Sequence, residues 1–522
     1  MYFPDSWYED EVRDGFYVPA LMKRSWAAQM DVLEQVAKVC EKHHIRWFAG
    51  YGTLLGAVRH GGFIPWDDDL DIIMFRDDYQ RFNAVAQKEL PDEYYIPQDV
   101  ADEFRYFTRI CNRSVYCVDP ALLEKCHGFP YASGIDIFPF DYLAPDPETE
   151  EFRTSLAIIA HHAAWTINDL NQDTEEMQAL AAQVEALLDI KLDRRGSLKN
   201  QLFALSESLF SLYTADQARE AAYMPFLIFD NERPYPLDCF GDTVMLPFET
   251  ARIPAPAGYV DILTCRYGDY RTLIRSGSKH DYPGHLPQAV QLANLLGKER
   301  LPFQYTLSKA DLESAKPGHT LHSIHDDIRA SREIVFLPWK ASMWEGMEPY
   351  WKEAASSQDC SVYVIPLPWF YRNVDGSLRD MQYDGESFPD SVPVTDYRSY
   401  DFSAHRPDMI FIQNPYDEYN LTTSIAPGFY SAVIKQYTRQ LVYIPWFTVD
   451  ETDPGDSKAV YNMRYYAAMP GVVHADRVIL QSELIRKAYV DFLSEFAGEE
   501  TRKIWEAKTE GGERHAISRF LV

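Results

Sequence analysis

Apolar and polar positions follow two regimes along this chain. In the first, Leu33, Val36, Ala37 and Cys40 recur at i, i+3, i+4 and i+7, which predicts a helix with one buried face. The short apolar run Ile45–Ala49 predicts a strand. A glycine-punctuated turn and a short helix over Thr53–His60 follow, and Gly61-Gly62 ends that helix. Next come a strand over Asp69–Met74, an amphipathic helix around Asp77–Gln87, and a strand over Gly134–Phe138 closed by Pro139. From about 149 to 223 the pattern turns helical and rich in Ala and Leu, as in Met177–Leu188, which predicts a helical insertion. Residues 243–270 are mixed and carry several prolines, which reads as the cap of a first domain.

The second regime begins after a polar stretch, Ser308–Arg332. Apolar runs at Ile334–Leu337, Val362–Ile365, Met409–Ile412, Leu441–Ile444 and Val478–Leu480 have the length of buried parallel strands. Helical stretches such as Met343–Ala355 and Glu483–Phe496 separate some of them. The expected fold class is α/β: an α+β domain over 1–305 with its insertion, a linker over 306–332, and a Rossmann-like doubly wound domain over 333–522. There is no G-x-G-x-x-G, so nothing specifies a dinucleotide.

Composition narrows the partners. The 522 residues carry a formal charge of -29, which argues against a polynucleotide partner. The 34 Tyr and 11 Trp suit ring-lined clefts for nucleotides, sugars or quaternary ammonium groups. No apolar stretch is long enough to span a bilayer. The start, Met1-Tyr2-Phe3-Pro4-Asp5, lacks the regions of a signal peptide. Seven scattered cysteines read as reduced thiols, so a cytoplasmic location is expected, with peripheral contact at the inner face of the membrane left open. Cys111, Cys117, Cys126 and His127 lack the C-x2-C pairing of a zinc site.

The chemistry concentrates between residues 48 and 72. Gly52-Thr53 sits between a strand and a helix, where free N–H groups and a hydroxyl can hold a phosphate; an ordinary turn with Thr53 as N-cap is the plain alternative. Asp69 and Asp71 alternate on a strand, so both carboxylates face one side while Leu70 and Ile72 face the other. Like charges held close repel unless a cation neutralises them, which points to Mg²⁺ or Mn²⁺ rather than to a solvated acidic turn. Asp136, alone in the apolar Gly134-Ile135-Asp136-Ile137-Phe138, would complete a three-carboxylate cage for one or two ions; a paired core aspartate is the alternative.

The string from Gly52 to Asp71, with Trp66-Asp67-Asp68-Asp69-Leu70-Asp71 at its end, resembles the signature of the LicD family, which is similar to fukutin and fukutin-related protein. The resemblance extends through Gly134–Pro139 and Tyr267-Gly268-Asp269-Tyr270 and covers about the first 290 residues. It implies a nucleotidyltransferase-like fold. The implied reaction is metal-dependent transfer of a phospho-alcohol, most often phosphocholine, from a CDP-linked donor such as CDP-choline. The acceptor would be a hydroxyl of a cell-surface glycan, lipopolysaccharide or teichoic acid. By position it assigns Asp69, Asp71 and Asp136 to the metal and to catalysis, and Gly52 and Thr53 to the donor. Arg59, His60 and Arg109 are further candidates for the donor, with surface or salt-bridge roles as the alternative. Arg271-Thr272-Leu273-Ile274-Arg275 stands where many relatives have a proline-rich stretch, and Lys279, His280 and His285 lie near it. Trp47, Tyr51, Trp66 and Tyr106 are the rings closest to the motifs, and choline would favour a cage of rings.

From about Glu333 the chain resembles the N-terminal lobe of CDP-glycerol glycerophosphotransferases, carried by Pro407–Asp417 and Leu441–Pro445. A second such lobe has no room before Val522, so acceptor recognition, or an incomplete lobe that pairs with another chain, is expected here rather than a complete active site. His474 reads as a core or loop histidine. Two competing readings keep part of this picture: nucleotidyl transfer to a sugar or protein, and a non-catalytic glycan-binding scaffold.

Overall fold

The computed structural model describes residues 1–97, 105–169, 174–275, 282–297, 304–316 and 331–512. Lys279, His280 and most of the expected linker lie outside them. The chain forms two compact units. The first comprises Met1–Tyr2, Ser25–Tyr116 and Tyr131–Ser276; the second comprises Phe3–Arg24, Cys117–Pro130 and Gly277–Val522. The partition therefore differs from the expected one at both ends of the first domain. The physical reason lies in residues 3–24, whose Phe16, Tyr17 and Val18 are buried, with Tyr17 inside the second core.

In the first unit, helix α1 (Ala20–His43) packs from Ser25 onward. Val32, Leu33, Val36, Val39 and Cys40 are buried, a wider stripe than the four-residue pattern alone. A mixed sheet follows, built from β1 (Phe48–Ala49), β2 (Asp71–Phe75), β3 (Thr108–Cys111), β4 (Gly134–Tyr142), β5 (Glu220–Ala222) and β6 (Tyr235–Pro236). The strands run in the order β1-β2-β4-β5-β6, with β3 also on β4. β2 and β4 are parallel and the other pairs antiparallel. Helix α2 (Tyr51–Arg59) joins β1 to β2, and α3 (Arg76–Glu89) follows β2.

Pro139 does not end β4. The Asp136 N–H donates to Leu70 O at 3.0 Å, on the β2 side, so odd-numbered residues face the other edge. There β3 covers residues 134–137 and β5 covers 141–142. Pro139 falls in the gap, where a missing N–H breaks no ladder bond.

The insertion is helical as expected: α4 (Pro147–Asp169), α5 (Glu175–Leu188) and α6 (Leu198–Phe210). A buried ion pair ties it to the sheet. Arg76, at the start of α3, makes two bonds of 2.6 and 2.8 Å to Asp141 on β4 and one of 2.8 Å to Glu207 on α6. A hairpin of β7 (Thr243–Phe248) and β8 (Ala251–Pro256) and helix α7 (Tyr259–Tyr267) complete the unit, and Gly268, at φ +65°, ends α7.

The second unit is doubly wound. Six parallel strands make its sheet: β9 (Arg332–Leu337), β10 (Cys360–Val364), β13 (Met409–Ile412), β15 (Gln440–Tyr443), β16 (Arg477–Leu480) and β17 (Thr509–Gly511). Their order is β10-β9-β13-β15-β16-β17. A smaller antiparallel sheet holds β11 (Trp369–Arg372), β12 (Leu378–Gln382) and β14 (Thr423–Ile425) in the order β12-β11-β14. The direction of winding reverses between β9 and β13, and beyond the carboxyl ends of such strands open α/β sheets hold their ligands. Here the chain's own N-terminal segment meets the residues that follow those ends. The Tyr17 hydroxyl bonds that of Tyr416, and Lys340 pairs with Glu9 at 2.6 Å.

Candidate active site

The acidic segment is built from the backbone outward. Gly50 donates its N–H to Asp71 O at 3.0 Å, which anchors the start of α2 to the start of β2. The helix begins at Tyr51, two residues earlier than the sequence pattern implies, so Thr53 lies inside its first turn and is not the N-cap. Its buried hydroxyl instead accepts the Asp71 N–H at 2.8 Å. A Cβ at Gly52 would stand 2.8 Å from the Asp67 carboxylate, so glycine lets that side chain lie against the helix start. Tyr51 carries this turn at φ 40°, a conformation that costs a non-glycine residue of order 1 kcal/mol. Its ring is fixed between Phe138 and Phe226, at 5.1 and 5.3 Å.

Helix α1 holds the other side of the segment. Trp26 Nε1 donates to Asp67 O at 3.1 Å and Gln29 Nε2 donates to Asp68 O at 2.8 Å. The Trp26 ring stacks on Phe63 at 4.8 Å. Strand β2 starts at Asp71 rather than at Asp69, because the backbone of residues 67–68 is spent on α1.

Three strands then line up a row of charges. Asp71 on β2 is in register with Asp136 on β4, and Asp136 with Arg109 on β3. Neighbours in register project to the same face of a sheet. Arg109 grips Asp136 with two bonds of 2.5 Å, from Nε and Nη2. Among the described residues, the Asp71 carboxylate has no hydrogen-bond or ion-pair partner. Burial, and then the charges of Asp69, Asp136 and Asp67, push its carboxyl well above the usual carboxylate range. Burial also raises Asp136, and the Arg109 bonds pull it back. Arg109 loses by burial but gains more from Asp136, so its pKa is raised.

The donor set is all hard oxygen, which suits Mg²⁺ or Mn²⁺. Among the described residues no three acidic, histidine or cysteine side chains stand ready as a closed cage. Asp71, with Asp69 two residues before it, could offer carboxylate oxygens to a cation. Asp136 would share its carboxylate between the ion and Arg109. Sequence reasoning allowed a salt bridge for Arg109 and a paired core position for Asp136 but did not pair the two with each other. The signal for their pairing is present only as Arg109 in Thr108-Arg109-Ile110, since the register that pairs it with Asp136 is not local.

The other candidates are placed as follows. Arg59 donates from Nη1 to Tyr270 O and Thr272 O, both at 3.3 Å, and from Nε to His60 at 3.0 Å. It thereby ties the end of α2 to the Tyr267–Tyr270 motif. The His60 ring lies edge-on to Trp66 at 6.0 Å, and Arg275 covers the Trp66 ring at 5.2 Å. Tyr106 packs on Phe203 and Phe210, away from the rings around Tyr51. Tyr51 and Tyr106 are thus committed to separate clusters and do not share a cage. His285 is buried in the second unit. His474 is a core histidine there: Nδ1 is 2.7 Å from Ser431 Oγ and Nε2 3.0 Å from Asp311. Ser431, 1% exposed, is closed to substrate, so this Ser–His–Asp line is structural.

No described helix is long and apolar enough to cross a membrane. The lipopolysaccharide cholinephosphotransferase LicD of Haemophilus influenzae is 26% identical over 265 residues, 50% of this chain and 94% of that protein. An uncharacterised protein of Rickettsia prowazekii is 36% identical over 94 residues, 18% of this chain and 32% of its own. One of Rickettsia typhi is 41% identical over 54 residues, 10% of this chain and 18% of its own. The segment that holds α2, the acidic row and the start of the insertion, residues 44–170, matches the model of the LicD/FKTN/FKRP nucleotidyltransferase domain.

Proposed function

We propose that this protein transfers phosphocholine from CDP-choline to a hydroxyl of a cell-surface glycan, in a reaction that needs a divalent cation. The observation that carries the reading is the Asp71 carboxylate, which has no hydrogen-bond or ion-pair partner among the described residues, stands in register with Asp136, and is pushed toward its neutral form by burial and then by the acidic residues around it. An enzyme keeps such an arrangement where a cation and a pyrophosphate are to be held. A metal ion bound by Asp69, Asp71 and a shared Asp136 would neutralise the donor pyrophosphate and assist departure of CMP. The residues of the chain position it. Thr53 fixes the backbone of Asp71, α1 fixes Asp67 and Asp68, and Arg109 holds Asp136 on the same face. Arg109 is 41% exposed, so it can also meet a donor phosphate while it keeps Asp136 in place. The relative from Haemophilus influenzae, a lipopolysaccharide cholinephosphotransferase by name, supports choline as the cargo and lipopolysaccharide as the acceptor class.

The test is turnover of the full chain with Mg²⁺ and CDP-choline, CDP-ethanolamine, CDP-glycerol or CDP-ribitol, with and without lipopolysaccharide or teichoic acid. CMP released from CDP-choline, and lost with EDTA or with Asp71→Asn, supports the proposal. Release of phosphocholine in place of CMP marks nucleotidyl transfer instead. No turnover of any donor, with wild type and Asp71→Asn behaving alike, leaves a binding scaffold.

A further inference from the structure

A cleft of about 620 Å³ opens within the second unit, between the N-terminal segment, the 117–130 segment and the β11–β12 hairpin. Its volume is that of a small-molecule site. Arg24 lines it and is only 7% exposed. Nη1 donates to His127 O at 3.0 Å and Nη2 to Leu421 O at 3.2 Å. The Tyr8 ring covers the guanidinium at 5.7 Å. Nε is buried and has no hydrogen-bond partner. Among the described residues no carboxylate forms an ion pair with Arg24.

The backbone is shaped around this cation. Gly128 has φ +73°, and a Cβ there would stand 1.7 Å from Arg24 Nη1. Arg372 also lines the cleft and donates to the carbonyls of Gly376, at 2.9 Å, and Glu418. Arg379 differs, being paired with Asp5 at 2.6 Å and Asp380 at 2.7 Å. Burial lowers Arg24 to about 10. The hydrogen bonds of Arg24 go to carbonyls, and Asp10 and Asp5 act on it without ion pairing; an anionic ligand in direct contact would offset the desolvation that remains. Glu124 and Asp375, both exposed, stand among the lining residues and can accept hydrogen bonds from hydroxyls.

We propose that this cleft binds a phosphorylated saccharide or polyol, with the phosphate on Arg24 and Arg372, the hydroxyls on Glu124 and Asp375, and the Tyr8 ring as an apolar wall. That the saccharide belongs to the acceptor glycan rests on the transferase reading above; the binding itself does not.

Calorimetric titration of the full chain tests it, with glucose 6-phosphate as the probe and glucose and inorganic phosphate as controls. Glucose 6-phosphate binds at least tenfold more tightly than either control. Arg24→Gln weakens it at least tenfold and Arg24→Lys weakens it less, since charge-assisted bonds to phosphate dominate. Ala121→Trp, on an exposed lining position, blocks the cleft with Arg24 intact and leaves the unfolding midpoint unchanged. Asp71→Asn leaves binding unchanged. Absence of binding at millimolar glucose 6-phosphate overturns the proposal, as does binding that survives both Arg24→Gln and Ala121→Trp. Inorganic phosphate binding as tightly as the sugar phosphate overturns the saccharide assignment. Loss of CDP-choline turnover alone, with this binding intact, counts against the transferase reading and not against the cleft.

Discussion

Replacing Asp71 by Asn should stabilise the metal-free protein while it abolishes turnover. In the folded state Asp71 stands in register with Asp136, and Asp69 and Asp67 add to the same potential. Paired strands lie roughly 4.8 Å apart. At about 5 Å and an effective dielectric of about 20, one such pair costs roughly 3 kcal/mol. Partial exposure of Asp71 and the opposing charge of Arg109 cut that figure, and the upward shift of the Asp71 carboxyl relieves part of it by protonation. A net gain of about 1–2 kcal/mol remains for the neutral amide, or roughly 2–8 °C in unfolding midpoint for a unit of this size. The assay is thermal unfolding of wild type and Asp71→Asn in EDTA and in Mg²⁺. The expected result is a higher midpoint for the variant in EDTA, and a rise with Mg²⁺ in wild type only. A variant less stable than wild type in EDTA, or one that gains as much from Mg²⁺, would refute the electrostatic account of the row.

Three further outcomes follow from the same unit. Arg109→Leu leaves Asp136 buried without its two 2.5 Å bonds and should cost about 2–4 kcal/mol in urea unfolding at pH 7; Arg109→Lys should recover part of it. Arg76→Met should cost about 3–5 kcal/mol, because Asp141 is fully buried, and Arg76→Met with Asp141→Leu should regain most of it in the same assay. His161 is lowered to about 4 by burial, then by His162, and Trp165 Nε1 donates to its Nε2 at 3.1 Å. Folding depresses this histidine, so stability present above pH 6.5 is lost as pH falls from about 6.5 to about 4. His161→Phe should flatten that part of a stability–pH curve, and a nuclear magnetic resonance titration of the ring should show a midpoint well below 6.5.

Much of this architecture is legible in local pattern. Met409–Ile412 is a strand at its predicted bounds, and the other four apolar runs of the second unit all become parallel strands within a few residues. Burial on both faces of the inner strands leaves continuous apolar runs in the sequence, while the edge strand β10 is only half-buried over Cys360–Tyr363. β17 is not legible, because Thr509-Glu510-Gly511 has no apolar residue and exists only by pairing with β16. The start of α2 was displaced because Tyr51 adopts a positive φ that glycine is expected to supply. At the site, Asp69, Asp71 and Asp136 stand out as carboxylates in apolar surroundings. The partner of Asp136 does not, since its choice of Arg109 depends on register between strands 27 residues apart. The same limit hides residues 3–24, whose place in the second unit depends on contacts with residues hundreds of positions later.

The hydroxyl of Tyr17 finds Tyr416 across 399 residues, and its carbonyl accepts from Asn462 at 2.7 Å across 445. At roughly 5–20 residues per second, the ribosome needs about 20–80 s after Tyr17 to deliver Tyr416. Throughout that interval the Tyr17 hydroxyl lacks Tyr416, and its carbonyl waits longer still for Asn462. The first unit, by contrast, has all of its residues once the ribosome has passed 276. Nascent chains arrested between about 300 and 400 residues should therefore present a folded first unit and a protease-sensitive N-terminus, and resistance there should arrive only when residues beyond 462 emerge.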